Sequence, residues 1–533
     1  VLFYLLVVRR VAAQWSAAGG AAAALVVAVV VYRMPASTAG MAFLNGALFA
    51  LMPICWTIAA AMYLYNLTVE TGCFTQIRNS VAGISPDHRL QAILIAFAFG
   101  AFLEGAAGGG TPVAICAAML VGLGFDAFLA AGVCLIANTS PVAYGGFGTP
   151  ILTLQSVTGI DGAVLSRMAG NQLPILSCIV PLWLVRCMCG WKETREVLPA
   201  IAVAGGSFAV IQYLFAHSGA WPLTDLVGGL LCLLITAVFL HRWKPKTVWR
   251  VKLPNSANIE ERLEHAHLNV APMKPSEVAG AWMPFAILCV IMAVVGTWKK
   301  PIDSAKIGPV QTTYEWHIPA LDRRVERRPP VVEAPVLEPA VFRFNWFTMP
   351  GTSIALTSLL VLAILRPSKE VRRTVLRRTV EQMAIPVPCI VFMLGLGYTT
   401  RFGGMDATLG MSFKSTGMLY PFFAAILGWL GVFLTGTDAA SNALFGSLQK
   451  ITAMQLGLNP ILICTANSTG GVMGKMIDAQ SICVATAATE TVGTEADVFK
   501  FVVKHSIALA SIVGIIIMLQ AYVPPFTWMV PQH

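Results

Sequence analysis

Two carboxylates, one lysine and two runs of amide and hydroxyl side chains interrupt the apolar sequence at matched positions. Together they could bind a small anion and carry a proton. The first set is Glu104, in Gly100-Ala101-Phe102-Leu103-Glu104-Gly105, followed by Asn138-Thr139-Ser140. The second is Gly431-Val432-Phe433-Leu434-Thr435-Gly436, with Asp438 just beyond it, followed by Asn467-Ser468-Thr469 and Lys475. Gly100 and Asn138 are 38 residues apart, and Gly431 and Asn467 are 36 apart. Duplicated halves with interrupted, Gly-rich apolar segments at corresponding positions point to a transporter site formed between two repeats.

Each group has a functional and a structural reading. Glu104 has 14 uncharged residues before it and 21 after, and an ionisable group that deep is expensive to bury. Away from water a carboxyl favours its neutral form, which suits a proton carrier; the alternative is a carboxylate buried against backbone N–H groups. Asp438 stands where the first copy has Ala107, so it is an asymmetric addition that either takes the proton or fixes a hairpin. Lys475, eight residues beyond Asn467, could balance a desolvated substrate carboxylate. It could equally snorkel or pair with Asp478 or Asp438. Arg401 and Asp406, near an outer interface, are either a gate or a loop ion pair.

Positioning these groups at one depth calls for broken helices. Gly105 to Pro112 and Pro141 to Pro150 cannot run as continuous helices, because clustered glycines and paired prolines break the ladder. In lipid the freed N–H and C=O groups must meet protein or water. Two broken helices meeting tip to tip supply that, and their N-terminal ends attract an anion, which makes the backbone at Gly108 and Gly109 part of the candidate substrate site. Close glycine packing, as in Gly105-xxx-Gly109, is the competing explanation. The duplicated Asn138 and Asn467 argue against packing alone, since a buried amide needs partners.

Composition places the chain in lipid: 56% of its 533 residues are hydrophobic, only 12% are charged, and the mean hydropathy is +0.72. Charge-free stretches from Met34 to Val69, Ala127 to Ile160, Val197 to Thr224, Val278 to Trp298 and Phe344 to Leu365 exceed the roughly 20 residues that cross a bilayer. We expect an all-α polytopic membrane protein of about 12–14 membrane segments, counting re-entrant ones. The formal charge of +10 lies in loops and does not indicate nucleic acid. The basic loops His241 to Lys252 and Arg366 to Arg378 should be cytoplasmic, which puts the Pro-rich stretch from Lys299 to Arg343 outside. Carried along the chain, this count makes the two copies run in opposite directions, an inverted repeat with its site near the midplane. The divisions are 1–270, a first half-repeat; 271–345, one span and the outer loop; and 346–533, a second half-repeat. Val1 to Val8 followed by Arg9-Arg10 reads as the end of an incomplete first helix. The cysteines show no zinc or disulfide spacing, His265 and His267 read as a solvated loop pair, and no metal or phosphate-loop motif is present. No cofactor, metal or enzymatic chemistry is therefore expected.

Longer stretches carry a resemblance. Phe102-Leu103-Glu104-Gly105-Ala106-Ala107-Gly108, Asn138-Thr139-Ser140-Pro141-Val142-Ala143, Gly428 to Gly436, Ser441-Asn442-Ala443-Leu444-Phe445 and Gly470 to Ile477 resemble the signature stretches of the bacterial L-lactate permease family, and the likeness spans nearly the whole chain. It implies a proton-coupled importer of lactate and glycolate in the inner membrane, with Ser/Asn/Thr hairpin tips holding a carboxylate and a transport domain that moves as an elevator. Sodium coupling or a broader carboxylate range is the alternative, and a homo-oligomer is compatible with either. Gly109, Thr111 and Asp478-Ala479 depart from the family pattern and leave stoichiometry and exact substrate open.

Overall fold

Hydrocarbon offers the backbone no hydrogen-bond partners, so an apolar chain of this length must close its N–H and C=O groups within helices. The computed structural model describes residues 1, 4–5, 9, 11–108, 111–251, 274–307, 310–329, 335–491 and 493–531; Arg10, Gly109, His265 and His267 lie outside them. Among the described residues, seven helices are long and apolar enough to cross a bilayer: Ala36–Glu70, His88–Ala106, Leu198–Ala216, Trp221–Arg242, Lys369–Gly403, Thr416–Thr435 and Glu495–Tyr522. Two more are bent pairs, Ala127–Ala137 with Val142–Thr158 at 65° and Gly162–Gly170 with Leu173–Met188 at 45°. Four shorter apolar helices are Gln14–Val30, Pro112–Gly122, Ser276–Met292 and Pro350–Leu365. The helical polytopic architecture is the expected one, and the sharper of these two bends falls at Asn138–Pro141, where a break was expected.

Small residues set the closest approaches between helices. A methyl added at Gly428 would collide with the backbone of Asn467, and one at Gly470 with the backbone of Ala425, so Tyr420–Thr435 and Pro460–Gly471 touch backbone to backbone. Gly105 and Gly229 do the same between Gly100–Ala106 and Thr224–Arg242. Glycine packing is therefore real at Gly105, and it coexists with the helix break three residues on.

The chain interleaves early and late segments. Helices Ala13–Val30 and Ala36–Phe49 pack on Pro386–Gly403, while Trp56–Glu70 packs on Pro350–Leu365 and Lys369–Met383. The last of these holds most of the stretch Arg366 to Arg378, expected as a basic loop and found helical from Lys369, and its Arg378 meets Glu70 at 2.8 Å. The loop between Ser276–Met292 and Pro350–Leu365, expected on the outer side, adds something that composition did not show. It folds into three two-stranded antiparallel pairs, Lys306–Ile307 with Val310–Gln311, Tyr314–His317 with Val341–Phe344, and Glu326–Arg327 with Val336–Leu337. Its Ile318, Leu321, Ala340 and Phe342 are buried in one cluster with Leu394, Tyr398 and Phe402, so it sits on the membrane helices as a small lid.

Candidate functional site

Both copies of the phrase fold alike. The helix Gly100–Ala106 stops and Gly108 takes φ +62° before Thr111–Gly122 begins; Tyr420–Thr435 stops and Gly436 takes φ +78° before Asp438–Gln455 begins. Left-handed backbone at these points is what the glycines permit and a side chain resists. The helix Ala127–Ala137 then leads to Asn138 and a 3₁₀ turn at Val142–Tyr144, and Pro460–Gly471 contains Asn467 and leads to a 3₁₀ turn at Val472–Ile477.

The contacts between copies exchange reciprocally. Asp438–Gln455 of the second copy packs on Gly145–Thr158 of the first, while Thr111–Gly122 of the first packs on Ala479–Ala488 of the second, and the two 3₁₀ turns meet each other. When i meets j′ and j meets i′, the halves are related by an approximate twofold.

The second tip is cross-linked through most of its polar groups, with Asp438 Oδ1 left over. Asp438 accepts from Ser468 Oγ and, at 3.4 Å, from Asn442 Nδ2, which also donates to the carbonyl of Pro150 in the first copy at 3.1 Å. Asn467 donates to Asn442 Oδ1 at 2.9 Å and accepts from Gln449 at 3.2 Å. Thr469 turns away and donates to Gln172 Oε1 at 2.7 Å. Lys475, buried, donates to the Gly436 carbonyl at 2.7 Å and stands 3.1 Å from Asp478 Oδ2. Asp478 Oδ1 in turn accepts from Ser481 N and caps the next helix. The anticipated pairing of Lys475 is thus with Asp478 rather than Asp438.

The first tip is the opposite. Glu104, Asn138 and Ser140 are all buried, yet Glu104 Oε2, both amide atoms of Asn138 and Ser140 Oγ meet no hydrogen-bonding partner of good geometry. Asn138 lies against Glu104, and Lys475 and Asp478 are near enough to act on its charge. Thr139 is satisfied by the carbonyl of Ile136 at 2.8 Å. Buried polar groups left unpaired in numbers are uncommon and call for a role. Immediately after, Gly146, Phe147 and Gly148 all have positive φ, 51°, 60° and 72°. The Phe147 backbone is strained, a cost met at ligand-binding and switch positions.

Arg401 and Asp406 are not paired with each other. Arg401 pairs with Glu338 of the outer lid at 2.8 Å and donates to the Val157 carbonyl at 3.0 Å. Arg327 holds the other Glu338 oxygen at 3.0 Å. Burial pushes the Glu338 carboxyl up, but the two guanidiniums outweigh it and hold it below the ordinary glutamate range. Asp406 is buried beside this group, with Oδ2 unpartnered.

Sequence reasoning missed Asp225, which is fully buried with neither carboxylate oxygen hydrogen-bonded by a side chain and with its charge coupled to Glu104. The signal was present: Asp225 has 28 uncharged residues before it and 16 after, the pattern that singled out Glu104. Asn442, Gln449 and Gln172 were missed as well, because a polar side chain on a helix face gives no sign in sequence of the tip it will reach.

Comparison with known proteins adds an independent line. A model of the family described as L-lactate permease matches residues 1–524. The L-lactate permease of Escherichia coli (strain K12) is 43% identical over 504 residues, covering 94% of this chain and 90% of its own. The L-lactate permease of Bacillus subtilis (strain 168) is 43% identical over 519 residues with the same coverage. The glycolate permease GlcA of Escherichia coli (strain K12) is 44% identical over 499 residues, covering 92% of this chain and 89% of its own. Among solved structures, Neisseria gonorrhoeae MtrF superposes with a TM-score of 0.48 at 12% identity, over 89% of this chain and 82% of its own.

Proposed function

The chain belongs to the L-lactate permease family, and from that premise we propose that it imports L-lactate together with a proton across the bacterial inner membrane. Glycolate and related 2-hydroxy monocarboxylates are taken to share the route, in keeping with the likeness to lactate and glycolate permeases. The observation that carries the reading is the gathering of unmet polar atoms at the first tip: among the described residues Glu104 Oε2, both amide atoms of Asn138 and Ser140 Oγ are buried without a hydrogen bond of good geometry, against Asp438 Oδ1 alone among the Asp438, Asn467, Ser468 and Thr469 side chains of the second. Asn138 and Ser140 supply donors for a carboxylate, with backbone at Gly108, and Lys475 offsets its charge from across the interface. Asn467, Ser468 and Thr469 already serve Asn442, Asp438 and Gln172. They reach a substrate only by exchanging those partners, so their first task is to shape the tip.

The proton is assigned to Glu104 Oε2, with Asp438 and Asp225 as alternatives among the buried acids. Protonated Glu104 and a bound lactate anion add no net charge, and the Lys475–Asp478 pair is neutral by itself. Crossing is then nearly indifferent to voltage, whereas one uncompensated charge would feel about 2.3 kcal/mol per 100 mV. Counterflow of labelled L-lactate in proteoliposomes tests the substrate assignment. Competition by glycolate but not by acetate or citrate is expected, with Asn138→Ala losing counterflow. Equal competition by all three acids would remove the 2-hydroxy monocarboxylate reading.

A further inference from the structure

A cavity of about 200 Å³ lies under the outer lid, lined by Arg327, Glu338, Arg401, Ser447, Lys450 and Met454. Three of these six are cations and one is an acid. Glu338 is shared by Arg327 and Arg401, while Lys450 forms no ion pair among the described residues and spends one donor on the Thr158 carbonyl at 2.7 Å. An ammonium has three donors, so two are not taken up by the hydrogen bond to Thr158, at a side chain that lines the cavity. Asp406 is not among the lining residues but is buried just behind them, in reach of the lining Ser447 and of both arginines, so the cluster holds three cations against two acids. Arg401, Lys450 and Tyr398 also bind the carbonyls of Val157, Thr158 and Ser156, the last turn of the helix Gly145–Thr158 whose first turn is the strained Gly146–Gly148 segment.

We propose that this cavity is an anion-docking vestibule: a second site, on the lid side, that takes the carboxylate of a small organic acid on Lys450 and the exposed edges of Arg401 and Arg327 before it enters the tips. The identity of that acid as L-lactate or glycolate rests on the function proposed above; the attraction of anions does not. An unbalanced cation in a low-dielectric cleft raises the local concentration of anions and their rate of entry. Because the same side chains hold the far end of Gly145–Thr158, an arriving carboxylate competes with the carbonyls and Glu338 for these donors and loosens the helix that carries the first tip.

Met454 is 45% exposed and lines the cavity, which makes Met454→Cys a reporter. In sealed vesicles, after subtraction of the parent chain, it should react several-fold faster with a sulfonate-bearing thiosulfonate than with an ammonium-bearing one. Added L-lactate should slow the sulfonate reagent, and Lys450→Gln should abolish the preference. For entry from the lid side, Lys450→Gln should raise KM about tenfold with kcat retained, Lys450→Arg should restore it, and Glu338→Gln should lower it. A merely structural cluster would instead make the Lys450 and Glu338 variants fail alike. Equal reagent rates, or a ratio that ignores Lys450→Gln, would overturn the vestibule even if transport is intact. Loss of all L-lactate and glycolate uptake by the wild type would overturn the transport reading while the reagent ratio still decides the vestibule.

Discussion

At the scale of single residues, the two copies divide their labour. Asp438 stands where the first copy has Ala107, and its hydrogen bonds to Ser468 and Asn442 tie down the second tip. Removing it by Asp438→Ala strands both partners at about 1–3 kcal/mol for each buried group left unsatisfied. We expect a clear drop in melting temperature in detergent, with Asp438→Asn retaining most of the wild-type stability; equal melting of all three proteins would deny the hairpin role. Glu104 has no such tie. Glu104→Gln should keep lactate exchange and lose accumulation against a gradient, since a permanently neutral side chain binds like protonated Glu104 but cannot release the proton. Full accumulation by this variant would move coupling to Asp225 or Asp438. The sequence made Glu104, Asn138 and Asp438 legible because an acid or amide in a long uncharged run is conspicuous. It concealed the partner of Lys475, since Asp478 and Asp438 were both within reach on paper and only the 3₁₀ turn at Val472–Ile477 decides between them.

At the scale of elements, breaks and contacts were legible to different degrees. Glycine clusters and proline pairs announce a helix break locally, so the interruptions after Ala106 and Ala137 follow from residue type alone, whereas the one after Thr435, at the single Gly436, shows only in the structure. The backbone contact between Tyr420–Thr435 and Pro460–Gly471 does not, because a glycine in sequence shows neither its neighbour nor its distance. Gly428→Ala would drive a methyl into the Asn467 backbone. A cost of about 1–3 kcal/mol is expected, together with displacement of Asn467 and loss of uptake. Gly206 sits on the helix Leu198–Ala216 with nothing within 4 Å of an added methyl. Gly206→Ala should therefore be neutral or stabilise by up to about 1 kcal/mol, and melting curves of the two variants compare them directly. The β pairs of the lid were hidden for another reason: strands of two to four residues are too short for alternation to register.

At the scale of the whole molecule, early and late helices interleave, and the two copies of the phrase meet through reciprocal contacts between Asp438–Gln455 and Gly145–Thr158 and between Thr111–Gly122 and Ala479–Ala488. On the orientation proposed from loop charge, the lid is outside and the basic helix Lys369–Met383 inside. That assignment has a consequence for pH dependence. Arg401 and Arg327 hold the Glu338 carboxyl below its ordinary range, so the latch contributes its full stability above the unfolded glutamate value of about 4.3 and loses it only as pH falls through the still lower folded value. Between pH 5 and 8 the latch stays closed. Glu338→Gln should therefore leave the shape of the uptake profile over that interval unchanged, and a displaced midpoint would show that Glu338 is part of the coupling.

In the proposed function a proton accompanies the substrate anion. Uptake of labelled L-lactate into proteoliposomes, driven by an acidic exterior in sodium-free buffer with the membrane potential clamped at zero and then at 100 mV, measures it most directly. We predict accumulation that follows the pH gradient, needs no sodium and changes little between the two potentials. Accumulation that requires sodium, or that grows steeply with voltage while ignoring pH, would contradict the account.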